Sequence, residues 1–276
     1  MTYNNRICKC IFQHNAATPF RSIFSASESD DLIALCKNVF NRSFTNGIGV
    51  RLDYCNQENQ ASIVGLSEVR FFDFLLSNFA LLNHEKLLLS ASASQSRSLK
   101  RLKERFAHDG NPDSVGSILQ REYLANTLAV SFLISDHAGQ FLLTKRNATV
   151  GISSGFVSVT VTGAIDDNDY SAEDPFRNCC QRELLEEMDY NLDSCAITPF
   201  MIVCGEKKLQ PIVLANAQVE SISEIVERIT AHKGFSLENS GYAIYNRDDI
   251  SHLLADGNVR ITEAARTHLE SAINAD

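Results

Sequence analysis

The chain has 276 residues, of which 44% are hydrophobic and 21% are charged. These proportions are typical of globular proteins and exclude a chain that is disordered throughout, and the length allows one large core or two modest ones. The formal net charge of −9 argues against a general nucleic-acid binder, because such a protein needs a basic surface to neutralise phosphates. A small phosphorylated substrate remains open, since a metal ion can supply positive charge locally.

The cysteine spacing and the hydropathy bear on whether the protein binds zinc, forms disulfides or spans a membrane. None of the eight cysteines shows a C-x-x-C spacing, so a zinc site of that kind is not predicted. Reduced, mostly buried thiols are expected, with a cysteine nucleophile or a disulfide framework as alternatives. The N-terminus lacks a long apolar core, and no stretch reaches the roughly 20 apolar residues that span a bilayer. A cytoplasmic protein without a membrane segment is therefore predicted.

The first half of the chain is predicted to be a small α/β domain. Residues 6–13 and 49–54 have the composition of strands, and Ser27–Phe40 reads as an amphipathic helix with acidic residues at its start. Val69–Leu89 reads as a helix with apolar residues on more than one face, which either burial or an oligomer contact would explain. A homodimer is the simplest form of that contact. No catalytic motif is found in this half.

The segment from Ala91 to Ser114 differs in composition from the residues before it. Residues 98–106 are rich in basic side chains and predict a short solvated helix, too brief to indicate nucleic-acid binding. Gly110, Asn111 and Pro112 then predict a turn. We place the domain boundary here, which gives an N-terminal domain over residues 1–112 and a second domain over residues 113–276.

The second half has a regular alternation of predicted strands and helices. Strands are expected at residues 128–135, 140–146, 157–162, 197–204 and 212–219, and helices at residues 175–188, 222–233 and 261–274. The first two strands form a hairpin around the turn at Asp136–Gly139. Pro175 suits the first position of a helix, and Asp174 can cap that helix.

Glu183, Glu186 and Glu187 carry the strongest chemical signal in the sequence. In a helix these residues occupy positions i, i+3 and i+4 and therefore share one face. Three carboxylates on one patch repel each other, so either water screens them or a divalent cation draws them together. Hard cations such as Mg²⁺ prefer carboxylate oxygens and also bind phosphates. The triad alone leaves a solvated acidic face and a magnesium site both open.

The context of the triad resembles a known motif. RELLEEMDY, from Arg182 to Tyr190, follows a strand that ends in Gly163 and an acidic loop. It resembles the Nudix box, G-x5-E-x7-R-E-U-x-E-E-x-G-U with U an apolar residue, and matches the R-E-U-x-E-E-x-G-U part at all but one defined position. The upstream segment LLTKRNATVGISSGFVSVTVTGAI is also similar to the strands and glycine that precede this box. The resemblance covers residues 128–246.

Two positions depart from the family pattern. Asp189 replaces the glycine that normally turns the chain off the helix in a left-handed conformation, which aspartate tolerates better than most residues. The glutamate eight residues before Arg182 corresponds to Asp174, with Glu173 beside it. Gly163 is the counterpart of the first glycine, so the loop holds five extra residues. The metal cluster is untouched by this insertion.

The resemblance implies a fold and a metal site. The fold would be a Nudix-type α/β/α sandwich with a mixed sheet, preceded by the smaller α/β N-terminal domain. Glu183, Glu186 and Glu187 would bind Mg²⁺, for which Mn²⁺ could substitute, and the carbonyl of Gly163 could add a ligand. Arg182 would pair with Asp174 or Glu173 and hold the loop against the helix; an ordinary surface salt bridge is its alternative role.

The same resemblance implies a hydrolase that directs water onto phosphorus in a pyrophosphate bond. Glu186 is the first candidate for the general base, and Glu206 is the second. Lys145 and Arg146 could contact substrate phosphates. The expected partner is a small nucleotide: a nucleoside triphosphate foremost, including non-standard ones such as inosine triphosphate, then ADP-ribose or a nucleotide sugar. The alternatives are a nucleotide-sensing module with little turnover and an interaction scaffold that uses the N-terminal half.

Overall fold

The computed structural model describes residues 2–14, 20–148, 154–205 and 208–274, and the chain divides into two compact units. Unit 1 comprises residues 3–128 and 204–211, and unit 2 comprises residues 129–203 and 212–276. The division falls after Leu128, whereas the sequence-based boundary lies after Pro112. Helix 115–119 packs against a strand of unit 1, and the Leu128 amide donates to the Val50 carbonyl at 2.7 Å, which ties this segment to unit 1.

Unit 1 combines a small sheet with helices. Its strands are β1 (Thr2–Arg6), β2 (Lys9–His14), β3 (Ile48–Glu58) and β4 (Ala61–Arg70), and its helices are α1 (Ala26–Phe40), α2 (Phe71–Phe74), α3 (Ala80–Leu82), α4 (His84–Leu88), α5 (Ala93–His108) and α6 (Val115–Leu119). A π-helical turn over Leu75–Phe79 joins α2 to α3. The small sheet has three strands, β2, β3 and β4, and β1 is not part of it. Its central strand β4 pairs with β2 in parallel and with β3 in antiparallel orientation.

The helix predicted at Val69–Leu89 begins later and is interrupted. Val69 and Arg70 pair with β3 as the end of β4, a strand that the sequence analysis did not predict, so the helical region starts at Phe71. Many of its apolar side chains are buried inside unit 1, among them Phe74, Leu75 and Phe79, whereas Leu89 is 89% exposed. Burial, one of the two explanations offered, therefore accounts for most of the apolar residues on several faces.

Unit 2 continues the chain from residue 129. Its strands are β5 (Ala129–Asp136), β6 (Phe141–Arg146), β7 (Val157–Ser158), β8 (Val161–Ala164), β9 (Thr198–Gly205), β10 (Pro211–Val219) and β11 (Asn239–Tyr245). Its helices are α7 (Asp167–Tyr170), α8 (Pro175–Met188), α9 (Ile222–Ala231), α10 (Lys233–Glu238), α11 (Arg247–Ala255) and α12 (Glu263–Asn274), with a 3₁₀ turn at Ser194–Ala196.

The strands of unit 2 form a mixed sheet in the order β9-β10-β5-β6-β11, with β8 added to β5 and β7 to β6. Strand β10 is parallel to β5, and β6 and β8 are antiparallel to it. Gly163 of β8 pairs with Val130 of β5 and faces α8. Ser131, the residue after Val130 in β5, contacts α12 instead. Neighbouring residues of a strand point to opposite faces, so helices cover both faces. This is the predicted α/β/α sandwich.

The strand predicted at Val157–Thr162 is divided into β7 and β8. The hydroxyl of Thr160 accepts from the Ile134 amide at 2.8 Å and donates to the Leu142 carbonyl at 2.7 Å. The Thr160 side chain thus replaces main-chain pairing between β7, which pairs with β6, and β8, which pairs with β5. Strand β11 and helix α11 were not predicted.

None of the eight cysteines forms a disulfide, and Cys36, Cys179, Cys180 and Cys204 are buried. Burial raises the pKa of the Cys36 thiol to about 12, which makes it a weak nucleophile. No helix in the described ranges has the length and hydropathy needed to cross a membrane.

Candidate active site

Helix α8 is positioned by caps at both ends. At its start, Asp174 accepts from the amides of Phe176 and Arg177, both at 3.1 Å, and Pro175 follows as the first helical residue, as predicted. At its end, Asp189 adopts the left-handed conformation with φ 52° and donates its amide to the Leu185 carbonyl at 3.0 Å. The sharp turn that the family obtains with glycine therefore survives with aspartate.

Arg182 is the centre of a charged cluster on α8. Its guanidinium contacts both carboxylate oxygens of Asp169, at 2.7 and 3.2 Å, and donates to the Ala164 carbonyl at 3.0 Å. The remaining nitrogen donates to Glu183 at 2.8 Å and to Glu186 at 3.3 Å. Arg182 thus joins the loop after β8 to two of the three predicted metal-binding glutamates.

The predicted loop partner of Arg182 is wrong. Asp174 caps α8 and pairs with Arg177 at 3.3 Å, while the buried carboxylate of Asp169 pairs with Arg182. Asp174 lies at the start of the helix and its oxygens are engaged by main-chain amides there, whereas α7 carries Asp169 back toward the middle of α8. Glu173 is exposed.

The spacing of Asp169 explains how the loop insertion is accommodated. Asp169 is the sixth residue after Gly163, which is the G-x5-E spacing of the family with aspartate in place of glutamate. Twelve residues, 170–181, then separate Asp169 from Arg182 instead of seven. The five extra residues therefore lie between Asp169 and Arg182, in the stretch that contains the start of α8. Counting forward from Gly163 would have found Asp169 in the sequence.

Glu183 lies against Gly163 of strand β8. A Cβ atom on Gly163 would lie 1.9 Å from the Glu183 carboxyl group, so any larger residue would force the Glu183 side chain to move. The Glu183 side chain is 13% exposed. Burial raises its pKa to about 7; Arg182 opposes the shift, and Glu186 and Asp169 add to it. The carboxyl group is thus held in a place where a negative charge is poorly solvated.

Glu187 is the most buried member of the triad, at 7% exposure. Its Oε2 accepts from the side-chain amide of Asn239 at 2.8 Å, at the start of β11. Burial raises the pKa of Glu187 to about 8, while the Asn239 hydrogen bond and the charge of Arg146 oppose the shift. Asn239 is itself buried and was missed in the sequence, because a lone asparagine far along the chain carries no motif.

Glu186 differs from its two neighbours in being open to solvent, with 60% of its side chain exposed. Its main-chain carbonyl lies 2.7 Å from the Nε2 of His232, and a Cβ on Gly234 would lie 2.2 Å from the same oxygen. The segment after α9 therefore packs closely on the main chain of α8 at this residue. Glu206, the second candidate for the base, lies outside the described residues.

The two basic residues at the end of β6 lie in different surroundings. Arg146 is half-buried, donates to Thr162 at 3.0 Å and pairs with Glu238 at 3.4 Å. Its charge acts on Glu187, so it belongs to the carboxylate side of the sheet. Lys145 is exposed, and as the adjacent residue in a strand it points to the opposite side.

The donor set suits a hard divalent cation by its chemistry, since all three side chains are carboxylates and two of them are buried with raised pKa values. Among the described residues, however, no group of three or more acidic, His or Cys side chains is placed to hold a metal. Arg182 holds Glu183 and Glu186, and Asn239 holds Glu187. Metal binding would require these carboxylates to turn from their present partners.

Comparison with solved structures finds similar proteins over about half of the chain. A NUDIX hydrolase from Alicyclobacillus acidocaldarius is 14% identical with a TM-score of 0.39, covering 54% of this chain and 91% of its own. A MutT NUDIX hydrolase from Burkholderia pseudomallei is 19% identical with a TM-score of 0.35, covering 52% and 95%. A MutT protein from Methanosarcina mazei Go1 is 14% identical with a TM-score of 0.34, covering 53% and 91%.

The chain is thus similar to Nudix and MutT proteins, in line with the resemblance of residues 182–190. No family model and no curated protein matches the sequence. TM-scores below 0.5 and identities below 20% carry no argument about activity. The chemistry of unit 2 is therefore inferred from the residues of α8 and their surroundings.

Proposed function

We propose that unit 2 is a Mg²⁺-dependent hydrolase that cleaves the pyrophosphate bond of a nucleoside diphosphate linked to another group. The observation that carries this proposal is the pair of buried carboxylates, Glu183 and Glu187, one helical turn apart with pKa values raised to about 7 and about 8. Burial makes the charged forms of both carboxyl groups costly in free energy. A divalent cation would remove that cost, and a diphosphate would complete its coordination.

The carboxylate side chains of α8 have separate roles in the proposed reaction. Glu183, Glu186 and Glu187 would hold Mg²⁺, or Mn²⁺ in its place, and the carbonyl of Gly163 is the proposed further ligand. When bound, the metal would neutralise phosphoryl oxygens and lower the pKa of water. Glu186, the exposed carboxylate, is the proposed general base because it alone of the three can reach solvent water.

Two arginines and a lysine complete the proposed site. Arg182 fixes the loop through Asp169 and limits repulsion between Glu183 and Glu186. Arg146, on the carboxylate side of the sheet, is the better placed of the two proposed phosphate contacts. Lys145 would have to reach the substrate from the opposite side of β6, so its contribution should be the smaller.

The proposed substrate is a nucleoside triphosphate, including non-standard ones such as inosine triphosphate, and the product is the monophosphate. A release assay over triphosphates, ADP-ribose and nucleotide sugars, with Mg²⁺ and with excess chelator, tests this directly. Metal-dependent monophosphate release from triphosphates is expected. Turnover of only ADP-ribose or a nucleotide sugar would move the substrate class and leave the hydrolase in place.

A second function is favoured by the ion pairs of Arg182. Because this guanidinium already contacts Glu183 and Glu186, the cluster is partly neutralised without a metal, and unit 2 could serve as a nucleotide-sensing module with little turnover. Nucleotide binding without turnover of any compound in the panel would establish that alternative.

Glu186→Gln separates the two functions. The substitution keeps the size of the side chain but removes a metal-binding charge and the base, so turnover should fall by roughly 100-fold or more, with the far-UV circular dichroism unchanged. The control is Glu227→Gln, which removes an exposed charge from α9 and should leave turnover intact. A folded Glu186→Gln protein with normal turnover would refute the site.

A further inference from the structure

Unit 1 contains a cavity of about 780 Å³ with an arginine-rich wall. Arg21, Arg105 and Arg121 line it, together with the three carboxylates of Asp109, Asp113 and Glu122. Its volume lies within the roughly 300–1,000 Å³ of small-molecule sites. All of these residues belong to unit 1, whereas the carboxylates of α8 belong to unit 2.

Arg121 is the most constrained of the three arginines. It is 7% exposed, its Nη2 donates to the Gly110 carbonyl at 2.6 Å, and its guanidinium lies 4.4 Å from the centre of the Phe106 ring. Its Nη1 is buried and has no hydrogen-bond partner among the described residues. A buried charged donor without an acceptor is costly. Because Arg121 lines the cavity, its guanidinium would gain an acceptor by turning toward an oxyanion held there.

The other two arginines are paired with carboxylates, but weakly. Arg21 lies 3.3 Å from Glu122, and Arg105 lies 3.6 Å from Asp109, with both arginine side chains more than half exposed. Exposed pairs of this kind contribute little and exchange readily. Arg121 forms no salt bridge of its own in the described part of the chain, although the charge of Asp109 acts on Arg121 as well as on Arg105.

The third carboxylate of the wall, Asp113, is occupied locally. It accepts from the hydroxyl of Ser114 at 3.0 Å, and the side-chain hydroxyl of Ser117 contacts its main-chain amide at 3.1 Å. Asp113 therefore helps to shape the start of α6. It makes no ion pair with the lining arginines in the described structure.

The charge of the whole unit agrees with an anionic ligand. Residues 3–128 and 204–211 contain 16 Lys and Arg against 13 Asp and Glu, a net charge of +3, within a chain whose total is −9. The remainder therefore carries −12. The basic residues 98–106, which the hydrolase site does not use, lie in α5, and Arg105 near its end lines the cavity. A positive unit in an acidic chain attracts anions.

We propose that this cavity binds a small molecule through a phosphate group, with Arg121 and Arg105 as the charged contacts. Phosphate is favoured over a single carboxylate because it offers more acceptor oxygens and up to two negative charges, which can engage both guanidinium groups together. This binding site does not depend on the proposed hydrolase. It gives unit 1 a ligand of its own.

The test is calorimetric titration of the full chain with inorganic phosphate, at constant ionic strength and with excess chelator so that no divalent metal is present. Saturable binding with one phosphate per chain is expected. Arg105→Gln should weaken it about tenfold, as expected for loss of one charge-assisted hydrogen bond. Arg97→Gln removes the same charge from an exposed position of the same helix and should change the affinity less than twofold.

Because Arg121 packs on Phe106, an Arg121 variant risks unfolding. The comparison of Arg105→Gln with Arg97→Gln therefore decides the test. Absence of saturable phosphate binding by the folded wild-type chain would overturn the proposal. Equal weakening in both variants would overturn it as well, because it would indicate general attraction to a basic helix. Tighter binding of acetate than of phosphate, in a parallel titration, would refute the phosphate assignment.

Discussion

At Gly163 the missing side chain is what allows β8 to lie directly against the carboxyl group of Glu183. The glycine does not need an unusual backbone conformation there, since its requirement is one of space. Asp189 shows the opposite case: its side chain is tolerated, and what the position demands is a left-handed backbone. The first requirement comes from a neighbour in space and the second from the local geometry of the helix end.

Gly163→Ala should displace Glu183 from its contact with Arg182, because the new methyl group would occupy the place of the carboxyl group. We expect turnover to fall by at least about tenfold, with only a small effect on the unfolding free energy, because the clash meets the far end of a flexible side chain. Turnover and urea denaturation measure both effects.

The matched control is Gly257→Ala, because a Cβ on Gly257 meets nothing within 4 Å and its φ is not positive. It should retain both turnover and stability. Normal turnover in Gly163→Ala would show that the position of Glu183 next to β8 is not needed for the reaction.

Among the elements, β11 orients a residue of the site, although no motif in its sequence indicates this role. It pairs with β6 at one end of the strand order in unit 2. Its first residue, Asn239, then reaches Glu187 on α8. The carboxylate that comes 52 residues earlier in the chain is therefore oriented by a strand that the sequence analysis did not predict.

Asn239→Ala should leave the buried carboxyl group of Glu187 without its donor. A lost partner of a buried polar group costs about 1–3 kcal/mol, so unit 2 should unfold at lower urea concentration. Thermal and urea denaturation at pH 7 measure this loss.

Ser240→Ala, at the next and exposed position, is the control and should change stability by less than about 0.5 kcal/mol. If the two variants proved equally stable, the hydrogen bond between Asn239 and Glu187 would contribute nothing to the fold.

At the scale of the molecule, the sandwich of unit 2 is closed by α12 through a buried polar group. His268 is fully buried, its Nε2 lies 2.6 Å from the Asn216 Oδ1, and its Nδ1 lies 3.3 Å from the Ser131 hydroxyl. Because the amide oxygen can only accept, Nε2 carries the proton and Nδ1 accepts from Ser131. This assignment holds for a neutral imidazole, and burial keeps the ring neutral by lowering its pKa to about 3.

This lowered pKa predicts a loss of stability in acid. In the unfolded chain the pKa would be near 6.5, so between pH 6.5 and 3 the unfolded state binds the proton and the folded state does not. The stabilisation is complete above pH 6.5 and falls by up to about 1.4 kcal/mol per pH unit below it. Urea denaturation of the wild type from pH 7 to pH 4 measures the slope.

His268→Gln removes the titrating group and should flatten this slope, whatever its effect on stability at pH 7. His252→Gln, at an exposed position of α11, should keep the wild-type slope. Identical slopes in all three proteins would mean that His268 does not titrate differently on folding.

Local patterns in the sequence determined much of this protein. The caps of α8, the turn at Asp189, the shared face of the three glutamates and the main strands of unit 2 all depend on residues within a few positions of each other. Such features follow from backbone geometry and side-chain chemistry, so the sequence predicts them. The resemblance to the Nudix box rests on the same short stretch, residues 182–190.

Contacts between distant segments were decided only by the tertiary structure. Asp169 as the partner of Arg182, Asn239 as the partner of Glu187, and the division of residues 157–162 by the hydroxyl of Thr160 each depend on chain segments that packing brings together. Burial, which raises the pKa values of Glu183 and Glu187 and lowers that of His268, is likewise a property of the packed core. The sequence determines which groups are present. Folding determines which of these groups are removed from water and which partner then replaces the water.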